Sequence, residues 1–274
     1  MVVTDSSARL PADLVAEFGI KVVPLHVLVD GRDLLDGVDE FPADLYQRPG
    51  VSTAGASPDQ LATAYRQALA ESGGDGVVAI HISGALSSTL GAAEHAAAEF
   101  GPAIRVIDSK STGMGTGFVA LAAARAARDG LALNDVAAQA ESTVPRLRAY
   151  LVVQRLENLR RSGRIGTAAS WLGTALALKP LLRLDDGKLV LAQRVRTTSK
   201  ATAAMVEYVL EAVGEDRAAL AVHHVDNAAG AAQVAATLAS ALPACGPATV
   251  NDLGPVLGVH LGPGAVAVVV ALEA

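Results

Sequence analysis

The sequence predicts an α/β protein, and three observations carry that prediction. In the first half, short β-branched runs alternate with Ala- and Leu-rich amphipathic stretches, the rhythm that builds a parallel sheet covered by helices. From about Arg148 the style changes to strands at near-hairpin spacing, which predicts an antiparallel or mixed sheet. The length, 274 residues, fits two modest domains. A boundary near residue 147 gives a parallel-sheet α/β/α domain over 1–146 and an α+β domain with a mixed sheet over 147–274.

Taken in order, strands are expected at 1–4, 21–29, 77–82 and 104–107, and helices at 11–18, 58–71, 88–100, 117–128 and 133–141. One helix start is unusually explicit. Ser57-Pro58-Asp59-Gln60 offers a capping hydroxyl, proline at the first helical position and a capping-box glutamine. In the second half, the apolar runs around residues 149–153, 179–184 and 188–193 read as strands, the last two joined by the turn signal Asp185-Asp186-Gly187. Helices at 200–213 and 228–242 then alternate with strands at 219–223 and 265–271. No repeat with a period of tens of residues is present.

Composition narrows the function classes. Just over half of the residues are apolar, 18% are charged and the formal net charge is −6. Such a chain folds around a substantial core and repels phosphate backbones on average, so nucleic acid is not an expected partner. A single cysteine, Cys245, forms no intrachain disulfide and no thiolate metal cage, which suits a reducing cytoplasm. The N-terminus reads as a strand entering a turn and not as a signal peptide. The most apolar stretches are interrupted by Arg125 and Arg128, by Lys179 and Pro180, or are too short to span a bilayer, so no stable membrane insertion is expected.

Ligands of a parallel sheet collect at the carboxyl ends of its strands, and here those ends are rich in hydroxyls. Thr4-Asp5-Ser6-Ser7 follows the first strand, Ser83 to Thr89 the third, and Asp108-Ser109-Lys110-Ser111-Thr112 the fourth, with Ser52-Thr53 ahead of the capped helix. A helix opening at Ser87 adds free N–H groups and a positive dipole end, an arrangement suited to a carboxylate or phosphate. Any one serine is also an ordinary helix cap. Ser87, Ser88 and Thr89 together exceed what a cap needs.

Other motifs are weaker. Gly113-Met114-Gly115-Thr116-Gly117 follows a strand and opens a helix, but its spacing is not that of a dinucleotide fingerprint, and close packing explains its glycines as well. No phosphate-cradling GxxxxGK[ST] segment occurs. The six histidines lack metal-ligand spacing, so no metal site is expected. His260 lies in a stretch, from Gly254 to Gly264, that looks too glycine-rich for regular structure, and it is either structural or a ligand contact. A hydrolase built on Ser87, His260 and Asp108 lacks the GxSxG elbow. A serine hydrolase at Ser87 or a dinucleotide-dependent enzyme at the Gly113 loop stands as the rival reading.

Taken together, the motifs resemble the DegV family along the length of the chain. Thr4-Asp5-Ser6-Ser7, Thr53 to Pro58, Leu86-Ser87-Ser88-Thr89, Asp108-Ser109-Lys110-Ser111 and Met114-Gly115 carry the resemblance in the first half. Ser162-Gly163-Arg164-Ile165, Leu172-Gly173, Lys179-Pro180, Arg194-Val195-Arg196 and the segment from His260 to Gly264 carry it in the second. Ala54, Gly55, Ala56, Ser88 and Val259 depart from the family pattern. The resemblance implies an α/β first domain, a smaller α+β second domain and a long-chain fatty acid such as palmitate bound between them. By motif position Thr53 and Ser87 hold the carboxylate and His260 adds a hydrogen bond or positive charge. Arg164, Arg196 and Ser88 belong to the pocket or to partner docking. It further implies a non-catalytic protein with no cofactor that presents its lipid to a separate fatty acid kinase for acyl-phosphate formation. A monomer is expected on separate grounds, since no long heptad or exposed apolar helix stands out.

Overall fold

The structure is a computed structural model that describes residues 1–165 and 179–273. The chain divides into two compact units, 1–42 with 53–145 and 43–52 with 146–274. Residues 43–52 are thus grouped with the second unit.

The first unit is built on a parallel sheet. Its elements are β1 (Val2–Asp5), α1 (Ala12–Phe18), β2 (Lys21–Val23), β3 (His26–Val29), β4 (Arg32–Leu35), β5 (Ser52–Ala54), α2 (Pro58–Glu71), β6 (Val77–His81), α3 (Thr89–Ala97), β7 (Ile104–Asp108), α4 (Met114–Arg128) and α5 (Leu133–Thr143). The strand order is β2-β1-β6-β7, all parallel. Every residue of β1 and β6 is buried, as a parallel sheet covered on both faces requires. Helices α2 and α3 pack together, as do α4 and α5, and both pairs lie on these strands. The strand expected over 21–29 is two strands in separate sheets, because Pro24 has no N–H for a ladder. The second piece, β3, pairs with β4 in a small sheet of order β4-β3-β5.

The capping box at Ser57 forms as read: Ser57 Oγ accepts the Gln60 amide at 3.2 Å, and Gln60 Oε1 accepts the Ser57 amide at 2.8 Å. Gln60 has a further partner that spacing does not reveal. Its Oε1 lies 2.9 Å from His26 Nε2, while His26 Nδ1 lies 2.8 Å from Asp33, so the small sheet is tied to the start of α2.

The described elements of the second unit are β8 (Leu147–Val152), α6 (Glu157–Arg161), β9 (Lys179–Asp185), β10 (Lys188–Val195), α7 (Thr198–Val213), β11 (Ala218–His224), α8 (Ala228–Ala241), β12 (Thr249–Asp252), α9 (Gly254–Leu261) and β13 (Val266–Leu272). They form a mixed sheet of order β10-β9-β8-β13-β11-β12, in which only β11 and β12 pair in parallel. Asp186 and Gly187 both have positive φ, 46° and 78°, the signature of the two-residue hairpin turn that the sequence suggested. Helices α7 and α8 cover one face, burying Met205, Val209 and Leu238 against Leu220, Val222, Val268 and Val270. The Leu172-Gly173 motif lies outside the described residues.

One expectation is overturned. The stretch around His260 is not irregular: Gly254–Leu261 is the helix α9. Pro255 occupies the first turn, where its missing N–H costs nothing. Val256, Leu257 and Val259 are buried. Gly258 is present for packing, since a Cβ there would stand 2.6 Å from the ring of Tyr46. Burial offsets the low helix propensity of glycine, which pattern reading alone counts against the helix.

The first unit's sheet is keyed by one buried carboxylate. Asp5 Oδ2 accepts the Ile82 amide and faces His81 Nδ1, each at 3.0 Å, while Oδ1 accepts the amide and hydroxyl of Ser7. His81 Nε2 in turn lies 2.8 Å from the Tyr65 hydroxyl of α2. Asp5, Ser7, His81 and Tyr65 are all completely buried. Removing the carboxylate would strand these donors together, so Asp5→Ala is expected to destabilise the protein by about 3 kcal/mol or more. Urea unfolding checks this; a change below about 1 kcal/mol would contradict the keying role.

Candidate functional site

The hydroxyls at the strand ends fall into two sets. The first is structural. Ser6 Oγ donates to Asp36 at 2.9 Å and accepts the Leu25 amide at 3.1 Å, and Arg9 reaches the same carboxylate at 3.2 Å. Burial pushes the Asp36 carboxyl above its ordinary range, opposed by Arg9 and the Ser6 hydrogen bond. Ser109 Oγ bonds the Thr116 hydroxyl at 2.9 Å and accepts the Ser111 amide at 3.2 Å. Ser83 donates its amide to the Ser111 carbonyl at 2.9 Å, joining the loops after β6 and β7. The hydroxyl oxygens of Thr4, Ser111 and Thr112 are buried without a hydrogen-bond partner among the described residues.

The second set lies at the start of α3. Thr53 is half-buried on β5, Ser87 is half-buried, Ser88 is exposed and Thr89 is completely buried. Although Ser88 occupies the cap position, its side chain makes no capping hydrogen bond. Ser87 does the local work: its Oγ accepts the Thr89 amide at 3.2 Å and bonds the Thr89 hydroxyl at 2.9 Å. The segment after β5 comes directly against this turn. A Cβ on Gly55 would stand 2.6 Å from Thr89 Oγ1, 3.2 Å from its amide and 3.4 Å from Ser88 Oγ. Gly55 therefore packs directly on the polar turn at 88–89, and the departure at Gly55 is what the close approach requires.

The enzyme rivals find little here. Ser87 bonds Thr89, and among the first unit's described residues no imidazole bonds it. Of the first unit's histidines, His81 is sealed between Asp5 and Tyr65, His26 between Asp33 and Gln60, and His95 is exposed on α3. Asp108 accepts the Lys110 amide at 2.8 Å. The glycine motif is not an open turn, because Met114 to Gly117 are the buried first turn of α4. A Cβ on Gly117 would stand 2.9 Å from the Ala8 carbonyl, so helix packing accounts for that glycine.

In the second unit, His260 is half-buried in the last turn of α9. Burial first, and the Arg164 guanidinium second, lower its pKa to about 4. The imidazole is therefore neutral at neutral pH. Arg164 follows Gly163, whose φ of +74° turns the chain after α6. Its amide donates to the Leu159 carbonyl at 3.0 Å and its guanidinium to the Ser162 carbonyl. Arg196 is exposed between β10 and α7.

Sequence reading did not single out Gly55 or Thr89 as site residues; Thr89 counted only as one more hydroxyl. The available signal was a glycine in a segment followed at once by a strong cap. Among the described residues no group of three or more His, Cys, Asp or Glu could hold a metal ion, and no helix is long and apolar enough to cross a membrane.

An α/β unit carrying a hydroxyl patch at a helix start, joined to a mixed-sheet unit, is a known architecture. The family described as "Uncharacterised protein, DegV family" matches residues 1–273. The chain belongs to the DegV family. A DegV domain-containing protein of Mycobacterium tuberculosis is 61% identical over 274 residues, covering 100% of this chain and 98% of the relative. Among solved structures, "Fatty Acid Binding of a DegV family Protein from Thermus thermophilus" superposes with TM-score 0.92 at 33% identity, covering 100% of this chain and 99% of that one. A DegV family protein of Corynebacterium glutamicum gives TM-score 0.88 at 36% identity, with coverage of 100% and 97%. The Bacillus subtilis structure described as "DegV, a fatty acid binding protein" gives 0.88 at 27%, with coverage of 99% and 98%.

The folded pKa of His260 lies below its unfolded value, so its contribution to stability is complete above about pH 6.5 and is lost as pH falls toward 4. Histidine NMR titration of the purified protein is expected to place its midpoint near 4, and Arg164→Gln to raise it. A midpoint near 6.5 would show that His260 is not desolvated.

Proposed function

We propose that this protein binds a long-chain fatty acid, with the carboxylate held by Thr53 and Ser87 and by His260 as a further hydrogen-bonding partner. The observation that carries the reading is the patch at the start of α3: Gly55 packed against Thr89, with Ser87 half-buried and its oxygen already engaged by the Thr89 amide and hydroxyl. Such a serine has its proton to spare for an anion, and a desolvated carboxylate needs several donors. The similar Thermus thermophilus and Bacillus subtilis proteins, described as fatty acid binding, support the choice of anion.

The protein is proposed to act without catalysing a reaction of its own. In the cytoplasm it presents the bound carboxylate to a separate fatty acid kinase, which forms the acyl-phosphate. The sequence holds donors for an acid but no phosphate-cradling loop for ATP, which assigns nucleotide chemistry to the partner. Arg164 and Arg196 are the side chains proposed to serve the pocket or the docking of that partner, together with Ser88.

Solvent extraction of the purified protein followed by mass spectrometry is expected to release about one fatty acid per chain, and Ser87→Ala to weaken rebinding of palmitate on the order of tenfold or more. Binding should also raise the His260 titration midpoint, since a nearby carboxylate favours the charged ring. Protein that yields no lipid and takes up neither palmitate nor oleate would overturn the proposal.

A further inference from the structure

We propose that Thr89 is a positioning residue that makes Ser87 a dedicated hydrogen-bond donor, and so makes the patch select a carboxylate over a neutral headgroup on the same chain. The inference rests on the reading of Ser87 as a carboxylate ligand and goes beyond it. A serine hydroxyl has one proton and two acceptor lone pairs, and alone it serves either kind of partner. Here one lone pair is taken by the Thr89 amide at 3.2 Å. The 2.9 Å contact between the two hydroxyls has two possible directions, and burial decides between them.

Thr89 is 0% exposed, and its hydroxyl has no other hydrogen-bond partner among the described residues. Gly55 closes over it, with the position of an absent Cβ 2.6 Å from the hydroxyl oxygen. Were Ser87 the donor, the Thr89 proton would be buried with no acceptor, the costly arrangement. Were Thr89 the donor, its proton is satisfied and the Ser87 proton is left at a half-buried position open to a ligand. The second arrangement wins. Both lone pairs of Ser87 are then occupied, so it gives a proton and accepts none, and its donor is strengthened by the bonds it accepts. A carboxylate, which only accepts, matches this state. An alcohol gains from one half of its hydrogen-bonding capacity only.

Thr89→Val keeps the branched shape and the backbone amide but returns a lone pair to Ser87; Thr89→Ser keeps the hydroxyl. The experiment compares the dissociation constants of dodecanoate and 1-dodecanol on lipid-stripped wild-type protein, both Thr89 variants and Ser87→Ala, with thermal unfolding of each. Thr89→Val is expected to lower the preference for acid over alcohol by about fivefold, with Thr89→Ser staying within about twofold of wild type. Equal weakening of both ligands in Thr89→Val, or an unchanged preference while Ser87→Ala abolishes it, would overturn the role of Thr89 and leave the carboxylate site standing. An unchanged preference in Ser87→Ala would overturn the site itself.

Discussion

The buried carboxylate of Asp5 is the constraint on which the first unit depends. A buried carboxyl with no access to water must be met by donors, and the residues that meet it, with one more behind them, come from different parts of the chain. Ser7 supplies the turn after β1, Ile82 and His81 the end of β6, and Tyr65, through His81, the middle of α2. Burial, and then the proximity of Asp5, push the Tyr65 hydroxyl well above its ordinary pKa, so it stays a donor. Fixing the carboxyl end of β6 in turn fixes the loop to Ser87, whose amide donates to the Ser83 carbonyl at 3.1 Å. The hydroxyl cluster at the start of α3 is thus built on a buried network further along the same loop.

That division explains why the strand ends carry so many hydroxyls. Several are occupied internally: Ser6 with Asp36, Ser109 with Thr116, Ser83 with the turn it begins. A hydroxyl is useful at such a place because it bridges loops that lack a regular ladder. Thr53, Ser87 and Ser88 remain partly or fully exposed, and of these Ser87 has its oxygen engaged by the Thr89 amide and hydroxyl.

Much of this was legible in the sequence, and the failures have physical causes. The capping box at Ser57 and the hairpin at Asp186-Gly187 are local rules written in adjacent residues, and both formed. The short β4 and β12 and the five-residue α6 leave no periodicity long enough to detect. Helix α9 was missed because its stability comes from burial, with Tyr46 lying more than two hundred positions away from Gly258. The candidate site was legible only as a set of hydroxyls. Hydroxyls at a helix start are visible as letters, and the family resemblance singled out Ser87. Which hydroxyl is engaged and which is free depends on Gly55 reaching Thr89, a contact between segments that spacing does not encode.

The sheet order of the second unit has a consequence for how the protein is made. Strand β13 sits at the centre of the sheet between β8 and β11, and residues 43–52, synthesised more than two hundred residues before it, also belong to that unit. At a translation rate of about 5–20 residues per second, the early segment waits on the order of ten seconds or more for the strand that completes its unit. Until then β8 and β11 expose the ladder edges that β13 will join. The nascent chain therefore passes through a window in which its first unit is finished and the apolar heart of its second is open, the interval in which a chaperone has most to shield.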